Sequence, residues 1–455
     1  MNRKQISALK KILGSKLAIS TPEELELASY DGTDFHAIPS VVVHASCAED
    51  VAKTLAYANE HSIPVTPRGA ATGLSGGSVP VTGGISLNTE HMKEIISISR
   101  EDCTAVAQPG ILVADFQREL AGHGLFYPPD PSSAAFSTLG GNVAECAGGL
   151  RALKYGVTRD YILAIQAVLP DGTIIDTGSA AHKTVAGYDL TRLLVGSEGT
   201  LAVFTKITVR LLPLPAEIAL VSAYYGSAEA AVSAAIEMLA EGFFPRAVEF
   251  MDELSIASVI SSGEAGAPEG TRACLLIETD GPEGCAVREA QDIREFLQST
   301  SPVETRTAVE AKERESLWNI RRQISPAIYN VSPVKVSEDI CVARSKVLEL
   351  LGKLRSIESK HGVKIASYGH LGDGNLHVNI LDEKSPDPRR KLDEVISDIF
   401  DATLELGGSI SGEHGIGLAK KAFLPREIGA VELGLMRGIK EIFDPKGILN
   451  PGKIF

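Results

Sequence analysis

The chain has 455 residues, about three times the ~150 that serve one domain, so two or three domains are expected. Apolar residues at 44% and charged residues at 22% allow a sizeable core and exclude global disorder. The formal charge of −14 argues against a general affinity for nucleic acid or anionic membrane, although a local basic pocket for an anion is compatible with it.

The N-terminus, Met1 to Lys11, carries charge but no apolar core of a secretory signal, and no apolar run approaches ~18 residues. These features predict a cytoplasmic protein with no transmembrane segment. From Leu25 to about Leu214, short β-branched runs alternate with helical patterns and glycine-dense loops. Strands are predicted at Ser40–His44, Gly84–Asn88, Thr104–Ala107, Ile162–Leu169, Thr173–Asp176 and Leu201–Leu211, and a helix at Glu49–Ser62. Leu211-Leu-Pro-Leu-Pro215 reads as an extended linker. From Ala216 to about Gly415, strands (Ile218–Tyr225, Ala273–Thr279) alternate with long helices (Ala228–Glu241, Ala286–Gln298, Arg344–His361), which suits an α+β domain with helices on one face of a sheet. Residues from Ala422 begin as an amphipathic helix and end in a proline-rich, apolar tail that is expected to dock on the first domain. The predicted division is 1–215, 216–421 and 422–455.

Six cysteines (47, 103, 146, 274, 285 and 341) include no CxxC pair, so an internal iron–sulfur cluster or a zinc ribbon is not expected.

The first chemical signal is Pro67-Arg-Gly-Ala-Ala-Thr-Gly-Leu-Ser-Gly-Gly-Ser-Val-Pro80. Its glycines let a ligand approach the backbone, and exposed amides in such turns form a nest for anionic oxygens. G-x-G-x-x-G is absent and Pro80 blocks a following helix, so this is not a Rossmann turn. Alone, the segment is equally compatible with a surface loop. Two further small-residue loops, Thr138–Gly149 and Gly196–Thr200, point to a long, backbone-cradled ligand: a pyrophosphate-bearing cofactor on a non-Rossmann fold.

The densest signal is Tyr368-Gly-His-Leu-Gly-Asp-Gly-Asn-Leu-His-Val-Asn379. A two-residue turn at Asp373-Gly374 would place His370 directly opposite His377, with Asn379 on the same face. A second glycine-rich stretch places Glu413 beside His414. Together His370, His377 and Glu413 form a His/His/Glu set with open positions, matching a catalytic divalent metal better than a closed structural one. Arg321 and Ser325 share a helix face, and Arg321 with Lys335 is suited to a carboxylate; a solvated basic patch is the alternative. Trp318, the single tryptophan, reads as core.

Taken with Tyr127–Pro131, Lys154–Asp160 and Asn450-Pro-Gly-Lys453, these motifs resemble the vanillyl-alcohol-oxidase/PCMH-type flavoproteins. The nearest branch is that of glycolate oxidase flavoprotein subunits, D-lactate dehydrogenases and D-2-hydroxyglutarate dehydrogenases. The resemblance spans nearly the whole chain. It implies an α+β protein with a PCMH-type FAD-binding domain of two α/β subdomains, a substrate domain built on an antiparallel sheet, and a C-terminal tail returning to the FAD domain. It further implies FAD against Arg68, Gly69, Ala70, Thr72, Gly73, Gly76, Gly77, Pro128, Thr138, Gly140, Gly141, Asn142, Gly149, Glu198, Gly199 and Asn450. Thr72 stands where some members carry a flavin-linking histidine, so the flavin is expected to be non-covalent. In the same way the resemblance makes His370, His377 and Glu413 ligands of zinc, iron or manganese, His414 the base, and Arg321 with Lys335 the clamp on the substrate carboxylate. Ser325 matches a threonine of the hydroxyglutarate enzymes and leaves chain length open.

The expected reaction is oxidation of a D-2-hydroxy acid, D-lactate or glycolate first, to the 2-oxo acid. Electrons would leave to an external acceptor: an iron–sulfur subunit, an electron-transfer flavoprotein, or a quinone or cytochrome. A homodimer and peripheral attachment at the inner membrane through a partner are both compatible with this reading. The rival readings are a D-2-hydroxyglutarate dehydrogenase, a flavin-binding accessory subunit, a flavin-free metallohydrolase and, more distantly, an ether-lipid synthase.

Overall fold

Val41, Val42 and Val43 are buried in succession, as in a strand covered on both faces, and the Val41–His44 strand pairs in parallel with Ile85–Asn88. A computed structural model describes residues 1–14, 17–263, 266–332, 334–382 and 388–455. The chain forms two compact units. One consists of residues 1–148, 157–214 and 413–455, the other of 149–156 and 215–412. The carboxy-terminal stretch of the first unit therefore starts at Glu413 rather than at Ala422. Among the described residues no helix is long and apolar enough to cross a membrane.

In the first unit, β1 (Ala18–Ile19), β2 (Val41–His44), β3 (Val65–Arg68) and β4 (Ile85–Asn88) form a sheet in the order β1-β2-β4-β3. The Ala48–Glu60 helix connects β2 to β3 and buries Val51, Leu55 and Ala58, spaced for one face, in the core that contains Val41, Val43, Val65 and Leu87. A second, antiparallel sheet uses β5 (Ile95–Ser99), β6 (Thr104–Ala107), β8 (Ile162–Val168), β9 (Ile174–Gly178) and β10 (Val203–Arg210) in the order β5-β6-β10-β8-β9. The segment read as a linker is in part a strand: β11 (Leu212–Pro213) pairs with β7 (Leu125–Phe126). The proline-rich tail lies along β3, where the Val65 amide donates to the Ile448 carbonyl at 2.8 Å and the Asn450 amide to the Val65 carbonyl at 2.7 Å.

The second unit is one seven-stranded antiparallel sheet. Its strands are β12 (Glu217–Tyr225), β13 (Ala247–Met251), β14 (Ala273–Gly281), β15 (Glu304–Ala308), β16 (Lys335–Cys341), β17 (Lys364–His370) and β18 (Asn375–Leu381). They run in the order β15-β12-β14-β13-β17-β18-β16. Helices cover both faces, not one. The Glu253–Ser261 and Ala311–Val331 helices pack on Met251, Leu276 and Tyr368, with Trp318 in that core as expected. On the opposite face the Thr279 hydroxyl donates to the Ala286 carbonyl of the Cys285–Gln298 helix. The physical reason is visible in the central strands, where consecutive residues of β12 and β14 are buried and so need cover on both sides.

Candidate functional site: a glycine-lined cleft and a buried carboxylate cluster

In the first unit the glycine loop follows β3 and borders two adjoining clefts of about 550 and 780 Å³. They share Gly69, Ser78, Gly141 and Glu145. The smaller is lined by Arg68, Gly77, Gly140, Glu198, Gly199 and Asn450, the larger by Ala70, Thr72, Gly73, Thr138, Asn142, Glu413 and His414. Sixteen residues were read as flavin contacts, and thirteen of them border a cleft. Pro128 is buried elsewhere, Gly149 belongs to the other unit, and Gly76 packs against Leu418 and Phe35 in a left-handed turn (φ 80°).

Glycine is required here by close approach. A Cβ on Gly69 would fall within 3.0 Å of the Thr138 hydroxyl, and one on Gly140 would meet Pro109. Thr138 in turn caps the short Leu139–Glu145 helix by accepting the Gly141 amide at 3.3 Å. Arg68 does something other than offer a fork to phosphate. Its terminal nitrogens donate to the Tyr30 and Leu27 carbonyls at 2.7 and 2.9 Å, and burial lowers its pKa.

Glu198 also has a role the spacing did not show. Its carboxylate accepts the Ile416 and Gly417 amides at 2.8 and 2.6 Å, fixing the chain just beyond His414. Asn450 donates to the Gly77 and Glu198 carbonyls at 3.0 and 2.8 Å, which ties the tail to the glycine loop. Glu145, absent from the sequence reading, borders both clefts. Burial, and then the charge of Glu198, pushes its carboxyl well above the ordinary range. Burial raises Glu198 as well, while the Ile416 and Gly417 amides favour its charged form.

Ser137 Oγ, Asn142 Nδ2 and Glu145 Oε2, all from residues bordering the clefts, are buried without a hydrogen-bond partner. Each such group costs roughly 1–3 kcal/mol unless a polar ligand meets it. A glycine cradle lined by these groups fits a dinucleotide.

In the second unit the hairpin register departs from the prediction. Tyr368, not His370, lies opposite His377, and Asp373–Gly374 belongs to a longer turn in which the Gly374 amide donates to the His370 carbonyl. The slip is two residues. Side chains alternate with period two, so His370 stays on the face of His377 as its diagonal neighbour, with ring centroids 5.2 Å apart. Asp339 of β16 lies opposite His377 on the other side, and the Asn375 amide donates to Asp339 Oδ1 at 2.6 Å. Gly412 packs directly on Asn375 and Asp339, too closely for any Cβ, and the next residue in the chain is Glu413.

Glu249 of β13 is fully buried and bonds His370 Nδ1 at 2.6 Å and Arg321 Nε at 2.7 Å. Burial alone would raise its pKa, but the neighbouring His370 and Arg321 outweigh it and hold the carboxylate at about 2. The Arg321 guanidinium lies 4.5 Å from the Tyr368 ring centre. Lys335 donates to the Ser325 hydroxyl at 3.0 Å, and burial lowers its pKa to about 8.

Two family models match the chain: "FAD binding domain" over residues 39–178 and "FAD linked oxidases, C-terminal domain" over residues 214–454. The chain belongs to the FAD-linked oxidases. It is 38% identical to the glycolate oxidase subunit GlcD of Bacillus subtilis, over 96% of this chain and 95% of that one. It is 35% identical to the D-lactate dehydrogenase of Anaerostipes hadrus, over 92% and 90% of the two chains. Among solved structures, p-cresol methylhydroxylase with substrate bound aligns with a TM-score of 0.82 at 17% identity, covering 99% of this chain and 96% of that one. The last comparison speaks for the fold alone. The protein is an FAD-dependent oxidoreductase of the PCMH-type fold.

Proposed function

We propose that the protein oxidises a D-2-hydroxy acid, D-lactate or glycolate, to the corresponding 2-oxo acid and passes the electrons to an external acceptor. The observation that carries this reading is that Glu413 and His414 border the same cleft as the Gly69–Ser78 loop and Thr138. A proton acceptor thus shares the cavity that fits the cofactor. The names of the relatives, glycolate oxidase subunit and D-lactate dehydrogenase, support the substrate class.

Bound FAD, held non-covalently with Thr72 in its loop, supplies the hydride acceptor. His370, His377 and Glu413 would hold a divalent metal that lowers the pKa of the substrate hydroxyl. Two imidazole nitrogens and one carboxylate suit such an ion, and the 5.2 Å approach of the histidine rings favours a shared ligand. Arg321 and Lys335 bind the substrate carboxylate. With its ε N–H on Glu249, Arg321 keeps its two terminal nitrogens for the acid, and Tyr368 restrains the guanidinium plane. His414 accepts the hydroxyl proton, an exchange suited to imidazole near neutral pH. Glu198 holds the backbone behind it. The described thiols form no disulfide and include no CxxC pair, which favours an acceptor outside the chain, such as an iron–sulfur subunit, an electron-transfer flavoprotein or a quinone.

Anaerobic mixing with D- and L-2-hydroxy acids tests the reading. Flavin bleaching by D-lactate or glycolate is the expected result. Bleaching by D-2-hydroxyglutarate alone would move the substrate to the longer acid, and no bleaching by any member would reject hydroxy-acid oxidation.

A further inference from the structure

Glu249 lies mid-strand on β13 and is 0% exposed. Its two oxygens serve two partners of different proposed roles, the ring of His370 and the guanidinium of Arg321. A buried carboxylate accepts and does not donate, so the nitrogen of His370 that faces it, Nδ1, carries the proton. Metal binding by His370 would therefore use Nε2, the nitrogen turned away from Glu249, and a carboxylate partner raises the basicity of that donor. The same carboxylate takes the ε N–H of Arg321, which sets the direction of the remaining two-nitrogen fork. Tyr368, under that guanidinium, is two residues from His370 on the same strand and the same face.

The buried pairing one strand over provides a contrast. Glu278 bonds Arg246 and the Trp318 indole, and neither is a group that the reaction requires. Burying a charge for structure alone gains little over an apolar pair.

We propose that Glu249 is a positioning residue that fixes the tautomer of His370 and the fork of Arg321 together, so that metal binding and substrate-carboxylate binding depend on one buried carboxylate. This rests on the roles proposed above for His370 and Arg321.

The test compares the FAD-loaded wild type with Glu249→Gln, Glu249→Asp and Glu278→Gln. Zn²⁺ affinity is measured by titrating chelator-stripped protein against a competing indicator. KM and kcat are measured at saturating Zn²⁺ with a dye acceptor and whichever hydroxy acid bleaches the flavin. Both Glu249 variants should lose about 10- to 100-fold in Zn²⁺ affinity. They should also raise KM about tenfold or more, with a smaller change in kcat. Glu249→Asp retains the charge that Arg321 needs, so it tests the geometry even if the glutamine variant fails to fold. Glu278→Gln should lower the melting temperature and leave Zn²⁺ affinity unchanged. Zn²⁺ affinity within twofold of wild type, or an unaltered KM, in a folded Glu249 variant overturns the inference. A wild type that turns over the acid yet binds no Zn²⁺ overturns the metal reading itself, and the inference with it.

Discussion

Gly69→Ala isolates one contact in the cofactor cleft. Gly69 is not among the positive-φ residues, so alanine strains no backbone dihedral there. The cost is steric: the new methyl would lie within 3.0 Å of the Thr138 hydroxyl, which caps the 139–145 helix by accepting the Gly141 amide. Overpacking of this kind costs about 1–3 kcal/mol, and loss of the cap about 1 kcal/mol. If Thr138 must turn away, FAD affinity should fall about 10- to 100-fold, or 1.4–2.8 kcal/mol. Thr138→Ala alone removes the cap and should cost about 1 kcal/mol, near fivefold. In that background the nearest remaining atom of residue 138 is its Cβ at 3.5 Å, ordinary contact, so the Gly69 substitution becomes nearly free. The double variant should therefore bind FAD about as Thr138→Ala does, with a coupling of roughly 1.4–2.8 kcal/mol, the whole cost of the Gly69 substitution alone. Titration of the four apoproteins with FAD, followed by flavin fluorescence, measures it. Additive losses would refute the argument, because the methyl would then be colliding with something other than the threonine hydroxyl.

His414→Ala should retain FAD but slow flavin reduction by about 10²–10⁴-fold; reduction at the wild-type rate removes His414 as the base. Burial lowers the Lys335 pKa to about 8, so its positive charge is present below that pH and lost above it. The kcat/KM for the acid should accordingly fall as pH rises through about 8. Lys335→Arg should abolish that fall, and an unchanged profile in the variant would exclude Lys335 from the clamp. A chelator should suppress turnover reversibly, with recovery on adding Zn²⁺ or Mn²⁺; full activity in verified metal-free protein contradicts the proposed metal role.

The glycine loop, its partner loops and the histidine hairpin were legible because each is a local signal, a cluster of small or ligating residues within about a dozen positions. Register was less so. The Asp373-Gly374 pair suggested the shortest turn, but the backbone closes a longer one, with Gly369 pressed against the Asn375 carbonyl and the Leu376 backbone where no side chain fits. The face of His370 and His377 survived because an even slip preserves parity. Glu145 and Glu249 gave no signal at all, since an isolated glutamate in a helix or strand reads as solvated. Arg68 and Glu198 border the cleft, but no local pattern signals that their charged groups also bind backbone far away in the chain.

Sequence alone determined the small-residue cradle and the inventory of groups able to move a proton or hold an ion, because those depend on local residue type. Tertiary structure decided which carboxylate stays charged and what each charged group is paired with. Glu249 meets His370 across 121 residues, and Glu198 meets Gly417 across 219. The energy of a buried charge depends on its neighbours in space, and those are fixed only when the strands pair.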